Sequence, residues 1–163
     1  MPQNEQAYVV RVKAGRVKIV YSKKGIKEVA FPSKKSISGS AINPPLFVKK
    51  AGKQLQLYYS GKKSSFTVPL DLTGHGKFEL AVWRATKTIP YGQTCSYEWI
   101  AKRIGNPKSA RAVGNALGKN PAPVIIPCHR VIKKNGSLGG FGGGTTWKKY
   151  LLSLESKKVT VSI

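Results

Sequence analysis

The apolar residues of this chain recur with two different periods, and the change between them is what most limits its fold. Up to about residue 70 the pattern reads mainly as strands. Tyr8–Val12 and Val17–Tyr21 flank Ala14-Gly15, a hairpin turn, and Ile26–Phe31 supplies a third strand. Ser33–Ser40 is polar and reads as loop. Asn43-Pro44-Pro45 offers an N-cap with proline in the first turn, so a helix is expected from there to about Tyr59, stopped by Gly61. Phe66–Leu70 reads as a short extended segment, and Asp71–Lys77 as a linker.

Beyond the linker the pattern is helical. Phe78–Thr88 has apolar residues at 78, 82 and 85 and ends before the Ile89-Pro90-Tyr91-Gly92 turn. Thr94 or Ser96 caps a helix holding Tyr97, Ile100, Ala101 and Ile104, closed by Gly105. Asn106-Pro107 opens another helix, to Gly118. Its inward face is Ala110, Val113, Gly114 and Leu117, while Arg111 and Asn115 lie outward, one turn apart. Two helices joined by Gly105-Asn106-Pro107 make a helix-turn-helix. The second has small side chains at Ser109, Ala110, Ala112, Gly114 and Ala116, which would allow close approach either to DNA or to a packed helix. The expected architecture is α/β: a small N-terminal β-sheet domain with a helix (1–73) and a mainly helical C-terminal domain (74–163). The tail Val159–Ile163 alternates apolar and polar and is expected to add an edge strand.

Charge narrows the function classes. Lys and Arg total 29 against 6 acids, a net charge of +23. Residues 1–77 hold 15 basic and 3 acidic side chains and the remainder 14 and 3, so no single tail carries the excess. Such a balance fits either a polyanionic partner, foremost nucleic acid, or a generally basic surface. So few carboxylates leave little room for a two-carboxylate hydrolase. Two Cys and two His, spread over 75–129, cannot make a four-ligand zinc site, and at most one disulfide could form. His75 reads as a solvated loop residue and Cys95 as a passive thiol. Met1–Ala7 has neither a basic nor an apolar leader pattern, and no run of 18 apolar residues occurs. A soluble, cytoplasmic protein (nuclear in a eukaryote) is expected.

The chemistry concentrates at Val124–Ile132, where an apolar run ends in Pro127 and Cys128, His129 and Arg130 follow directly. A thiol is a nucleophile as thiolate, which a basic or cationic neighbour favours. His129 can be that base and Arg130 adds positive field. Neighbours on a strand face opposite ways, so Cys128 and His129 cooperate only if the chain turns, which Pro127 permits. A buried structural Cys beside a satisfied His is the plain alternative. The stretch Gly136–Gly144 holds six glycines in nine residues and can bring backbone N–H groups to a ligand, or serve as a simple connector.

Ile126-Pro-Cys-His-Arg-Val131 resembles the active-site signature of the O6-alkylguanine-DNA alkyltransferases, the methylated-DNA–protein-cysteine methyltransferases. Ile89–Tyr97 (IPYGQTCSY), Gly105–Gly114 (GNPKSARAVG), Asn120-Pro121 and Leu151–Glu155 (LLSLE) match in the family's order and spacing. The resemblance covers about residues 70–155, with the first 70 similar only in strand pattern and length. It implies irreversible, single-use transfer of an alkyl group, chiefly methyl, from a flipped O6-alkylguanine (less readily O4-alkylthymine) to Cys128. It implies His129 as base, through water, with Glu155 behind it and Asn120 bracing the turn before the nucleophile. Tyr97 would protonate the guanine and rotate its phosphate. Arg111 would fill the space of the flipped base. The DNA helix, with Ser109, Ala110, Ala112, Gly114 and Asn115, would enter the minor groove. Val131 and Gly142 backbone, Pro123, Phe141 and Lys148 would form the pocket. The resemblance implies no cofactor and no metal, a monomer, and double-stranded DNA containing alkylated guanine as partner. Competing readings are a lesion sensor on the same fold, which Cys128 opposes, a DNA-packaging protein and a Cys-His hydrolase.

Overall fold

A computed structural model of the chain describes residues 5–37, 41–62, 65–140 and 143–161, with side chains through residue 156. Two compact units are present, Met1–Thr73 and Gly74–Ile163, and the architecture is α/β. In the first unit, β1 (Gln6–Val12), β2 (Gly15–Tyr21) and β3 (Ile26–Val29) form an antiparallel sheet in that order. Gly15 has φ +140°, and a Cβ there would lie 2.7 Å from the Ser33 carbonyl oxygen, so the hairpin turn requires glycine. Strand alternation buries Val17, Ile19 and Tyr21 of β2. They meet α1 (Leu46–Tyr59), whose buried face is Val48, Ala51, Gly52, Leu55 and Tyr58 at helical spacing. The first unit closes at Asp71, whose carboxylate accepts from Ser22 Oγ (2.5 Å) and Thr73 Oγ1 (2.6 Å).

Two local expectations shift here. Helix α1 starts at Leu46 with Pro45 as N-cap, not at Asn43. Asn43 and Pro44 both precede a proline, which disfavours helical backbone at each. Strand β3 stops at Val29 rather than Phe31; Pro32, directly after Phe31, has no N–H for a ladder.

The second unit packs α2 (Lys77–Thr86), α3 (Tyr97–Arg103) and α4 (Ala110–Gly118) pairwise. Trp83 of α2 is buried and donates its Nε1–H to the Ala116 carbonyl (2.9 Å), pinning α2 to α4. Ser96, not Thr94, caps α3: its Oγ accepts from Trp99 N (3.0 Å). Gly105 (φ +81°) ends that helix. Helix α4 begins at Ala110 instead of Asn106-Pro107, because Ser109 N (3.1 Å) and Oγ (2.6 Å) both donate to the Asn106 carbonyl and close a turn first. His75 is half-buried, not solvated: its ring meets Trp83 edge-on at 4.8 Å and its Nδ1 lies 3.6 Å from Glu79. A two-stranded parallel pair, β4 (Cys95–Ser96) and β5 (Val131–Ile132), precedes α5 (Thr145–Val161). The expected edge strand at 159–163 is absent as far as Val161, which ends α5, and residues 162–163 lie outside the described residues. Among the described residues no helix is long and apolar enough to cross a membrane.

Candidate active site

The loop between α4 and Cys128 is tied across its base. Asn120 Oδ1 accepts from Ala122 N (2.9 Å) and its Nδ2 donates to the Ile126 carbonyl (2.7 Å). Ile126 N donates back to the Ala122 carbonyl (2.8 Å). Inside this loop Val124 has φ +76°, which a β-branched side chain rarely adopts. Pro127 (φ −80°, ψ 64°), with Cys128 N donating to the Ile126 carbonyl (2.8 Å), forms an inverse γ-turn. That turn reverses the apolar run and starts a single 3₁₀ turn, Cys128–Arg130, which sends three consecutive buried side chains to different surroundings.

His129 and Arg130 meet α5. Lys148, Leu151 and Glu155, all buried, share one face of that helix. The Glu155 carboxylate accepts from His129 Nε2, from Arg130 Nε (2.8 Å) and Nη2 (3.2 Å), and from Gly92 N (3.0 Å). Arg130 Nη1 donates to the Ile89 carbonyl (2.8 Å). The guanidinium is therefore committed to Glu155, which corrects the expectation that it raises the field at Cys128. Burial would raise the Glu155 carboxyl, but hydrogen bonds from His129 and Arg130 outweigh it and hold the group at about 2. Burial lowers the His129 pKa against the pull of Glu155, which favours the neutral imidazole.

The cation facing Cys128 is Lys148. Its Nζ donates to the Val131 carbonyl (2.6 Å) and the Gly140 carbonyl (3.3 Å) and lies 3.4 Å from Tyr97 Oη. Burial lowers it to about 8, against the opposing effect of Cys128. Burial pushes the Cys128 thiol up to about 11, while a hydrogen bond from Asn120 and the Lys148 charge act downward. The resting thiol is protonated and needs a base. Tyr97, also raised by burial, packs against Gly139 (φ +73°), where a Cβ would fall 2.6 Å from its Oη. Cys95 and Cys128 are both free thiols.

Cys128 and Tyr97 open onto a cavity of 1160 Å³, walled by Ala110, Arg111, Gly114 and Asn115 of α4. Ala110 and Gly114 are half-buried on this wall, so the helix's packed face is Val113, Ala116 and Leu117. Ser109 is spent on its turn, and Ala112 is exposed away from the wall. Pro123 and Val131 are buried beside the Cys128 turn and do not line the cavity. Phe141 and Gly142 lie outside the described residues.

A Methanosarcina acetivorans methylated-DNA–protein-cysteine methyltransferase is 42% identical over 144 residues, which are 86% of this chain and 92% of the relative. The chain belongs to the methylated-DNA–protein-cysteine methyltransferase family. A sequence model of the family, described as 6-O-methylguanine DNA methyltransferase, DNA binding domain, matches residues 77–157. An inducible methyltransferase of the same name from Bacillus subtilis is 41% identical, with 92% of this chain and 84% of the relative aligned. Among solved structures, a Mycobacterium tuberculosis relative in complex with DNA superposes with TM-score 0.81 at 38% identity, covering 94% of each chain.

His129 and Glu155, paired in the sequence analysis by resemblance alone, are in contact, and their surroundings were not legible there. Arg130 as a clamp on Glu155, the Gly92 N–H and the Ile89 carbonyl join only through tertiary structure. Gly139 was within reach of sequence reasoning, since it sits in the glycine-rich loop. Lys148, expected at the pocket, is fully buried and is not among the cavity's lining residues.

Proposed function

We propose that the protein repairs double-stranded DNA by taking the alkyl group of O6-alkylguanine, chiefly methyl, onto Cys128, once per molecule. The observation that carries this reading is Cys128 at a cavity shared with Tyr97 and Arg111, backed by the buried His129–Glu155–Arg130 network. With the guanine flipped into the cavity, neutral His129 accepts the thiol proton, through water, and Glu155 stabilises the imidazolium. The thiolate attacks the alkyl carbon, forming the S–C bond as the C–O6 bond breaks. Tyr97 supplies the proton that the departing guanine takes on its ring, and Lys148, whose Nζ lies 3.4 Å from Tyr97 Oη and can donate to it, favours the resulting phenolate. Arg111 on α4 occupies the space left in the stack and offsets part of the unstacking cost. The product is a thioether, whose S–C bond neither water nor an ordinary side-chain nucleophile cleaves, so the protein does not turn over.

The test is intact and peptide mass spectrometry after mixing with duplex DNA carrying one O6-methylguanine, with Cys128→Ala and undamaged DNA as controls. One methyl on the Cys128 peptide, saturating at one per protein, is expected. Tight lesion binding with no adduct would replace this reading with that of a sensor, and repeated turnover would replace it with that of an enzyme in the ordinary sense.

A further inference from the structure

The cavity wall includes a second cationic element outside α4. Lys133, Lys134 and Asn135, in the turn that follows β5, line the same cavity as Cys128 and Arg111. Both lysines are exposed, and neither has an ion-pair partner among the described residues. The turn that carries them is internally fixed. Gly136 N donates to the Lys133 carbonyl (2.9 Å) and Lys133 N donates to the Ser137 carbonyl (2.9 Å). Asn135 Oδ1 accepts from Ser137 N (3.0 Å) and Ser137 Oγ (2.8 Å), and Gly136 supplies the φ of +87° that the reversal needs. β5 ties the turn's base to β4 and runs directly from the 3₁₀ turn of Cys128. The backbone that carries the lysines is thus held in a set relation to Cys128, unlike that of a mobile tail.

We infer that Lys133 and Lys134 form a phosphate-binding arm that grips the DNA backbone at the mouth of the Cys128 cavity, in addition to the contacts of α4. The inference rests on the proposed DNA-repair function and adds two phosphate contacts to it. A rigid second hold next to the cavity suits a protein that must keep a duplex in register while one nucleotide leaves the stack. Lys119 also lines the cavity, but its Nζ lies 3.4 Å from the Glu79 carboxylate, and lysines away from the wall add only a diffuse field.

Counterion release makes the arm measurable. Each phosphate neutralised adds about −0.9 to the slope of log K against log salt on duplex DNA, so losing two contacts flattens the slope by about 1.8. Between 50 and 200 mM salt that is a salt penalty smaller by about tenfold. The experiment measures binding of the full chain to undamaged duplex DNA across that salt range, for wild type, Lys133→Gln/Lys134→Gln and Lys133→Arg/Lys134→Arg. Lys49→Gln/Lys50→Gln, two exposed lysines of α1, makes the same change in total charge. A slope flattened by about 1.8 in the 133/134 glutamine variant alone, retained with arginine, is expected. An unchanged slope, or equal flattening by the 49/50 pair, overturns the arm and leaves only general charge. Methyl transfer to Cys128 is measured on the same wild-type preparation. Transfer with no slope effect refutes the arm alone, and absence of transfer refutes the repair reading whatever the slopes show.

Discussion

Replacing Glu155 with glutamine removes one charge from the most constrained point of the second unit. The carboxylate is 1% exposed and takes hydrogen bonds from His129, Arg130 and Gly92. Its pKa in the fold is about 2, against an ordinary 4.5. At 1.36 kcal/mol per pH unit the difference corresponds to about 3 kcal/mol of stability near neutrality. Mutational experience with broken buried ion pairs, roughly 3–5 kcal/mol, agrees, since Arg130 would keep its buried charge with no anion, facing only the Ile89 carbonyl and the Tyr91 ring. The sign follows from the depressed pKa. The stabilisation is complete above about 4.5 and disappears as pH falls through about 2. Asp71 is also held at about 2, by hydrogen bonds from Ser22 and Thr73, so both proteins lose stability in that acid window. That contribution cancels in the difference between wild type and Glu155→Gln. Urea denaturation of both from pH 7 to pH 2 is expected to show a gap of about 3 kcal/mol that closes with acid. A gap below about 1 kcal/mol, or one that stays constant to pH 2, would refute the reasoning that Glu155 is ionised and paired in the fold.

Three further outcomes are expected. Asn120→Ala leaves the Ala122 N–H and Ile126 carbonyl without their side-chain partner and costs about 2–4 kcal/mol in denaturant melts, with slower methyl transfer in single-turnover assays on the folded fraction. Val124→Gly loses a buried side chain, worth roughly 1.5–3 kcal/mol, but releases strain of order 1–3 kcal/mol, so its net change is expected within about 1 kcal/mol of zero; a loss near 3 kcal/mol in thermal melts would contradict the strain. For Lys148, whose pKa falls from 10.5 to about 8 on folding, the unfolded chain binds the proton more tightly, so this residue makes stability rise with pH between those values. Cys128, raised from 9.0 to about 11, pulls the other way above pH 9, so the effect is read as a difference: the stability of Lys148→Met relative to wild type should fall between about pH 8 and 10.5, measured as denaturation midpoints of both proteins.

How far the sequence reaches differs from element to element. Val17, Ile19 and Tyr21 alternate, and Val48, Ala51, Leu55 and Tyr58 follow helical spacing, so sheet and helix of the first unit are local facts of the chain. The same holds for the α3–turn–α4 arrangement, where Ser96 and Gly105 mark ends by backbone chemistry. Element starts next to Pro45 and Ser109 were displaced because caps depend on which hydrogen bond wins locally. The tail misled because Val159–Val161 alternates as a strand would, yet continues the helix that carries Lys148 and Glu155. The residue types for a thiol nucleophile, a base and an acid stood in the sequence, and their grouping there came from a resemblance. Their physical relation is tertiary: His129 and Glu155 are 26 residues apart, and only the packing of the 3₁₀ turn against α5 brings them into contact. Burial, which sequence does not reveal, then sets the chemistry. It keeps Cys128 protonated, His129 neutral and Lys148 weakened, because charge is costly away from water unless a partner such as Arg130 lies within hydrogen-bond reach.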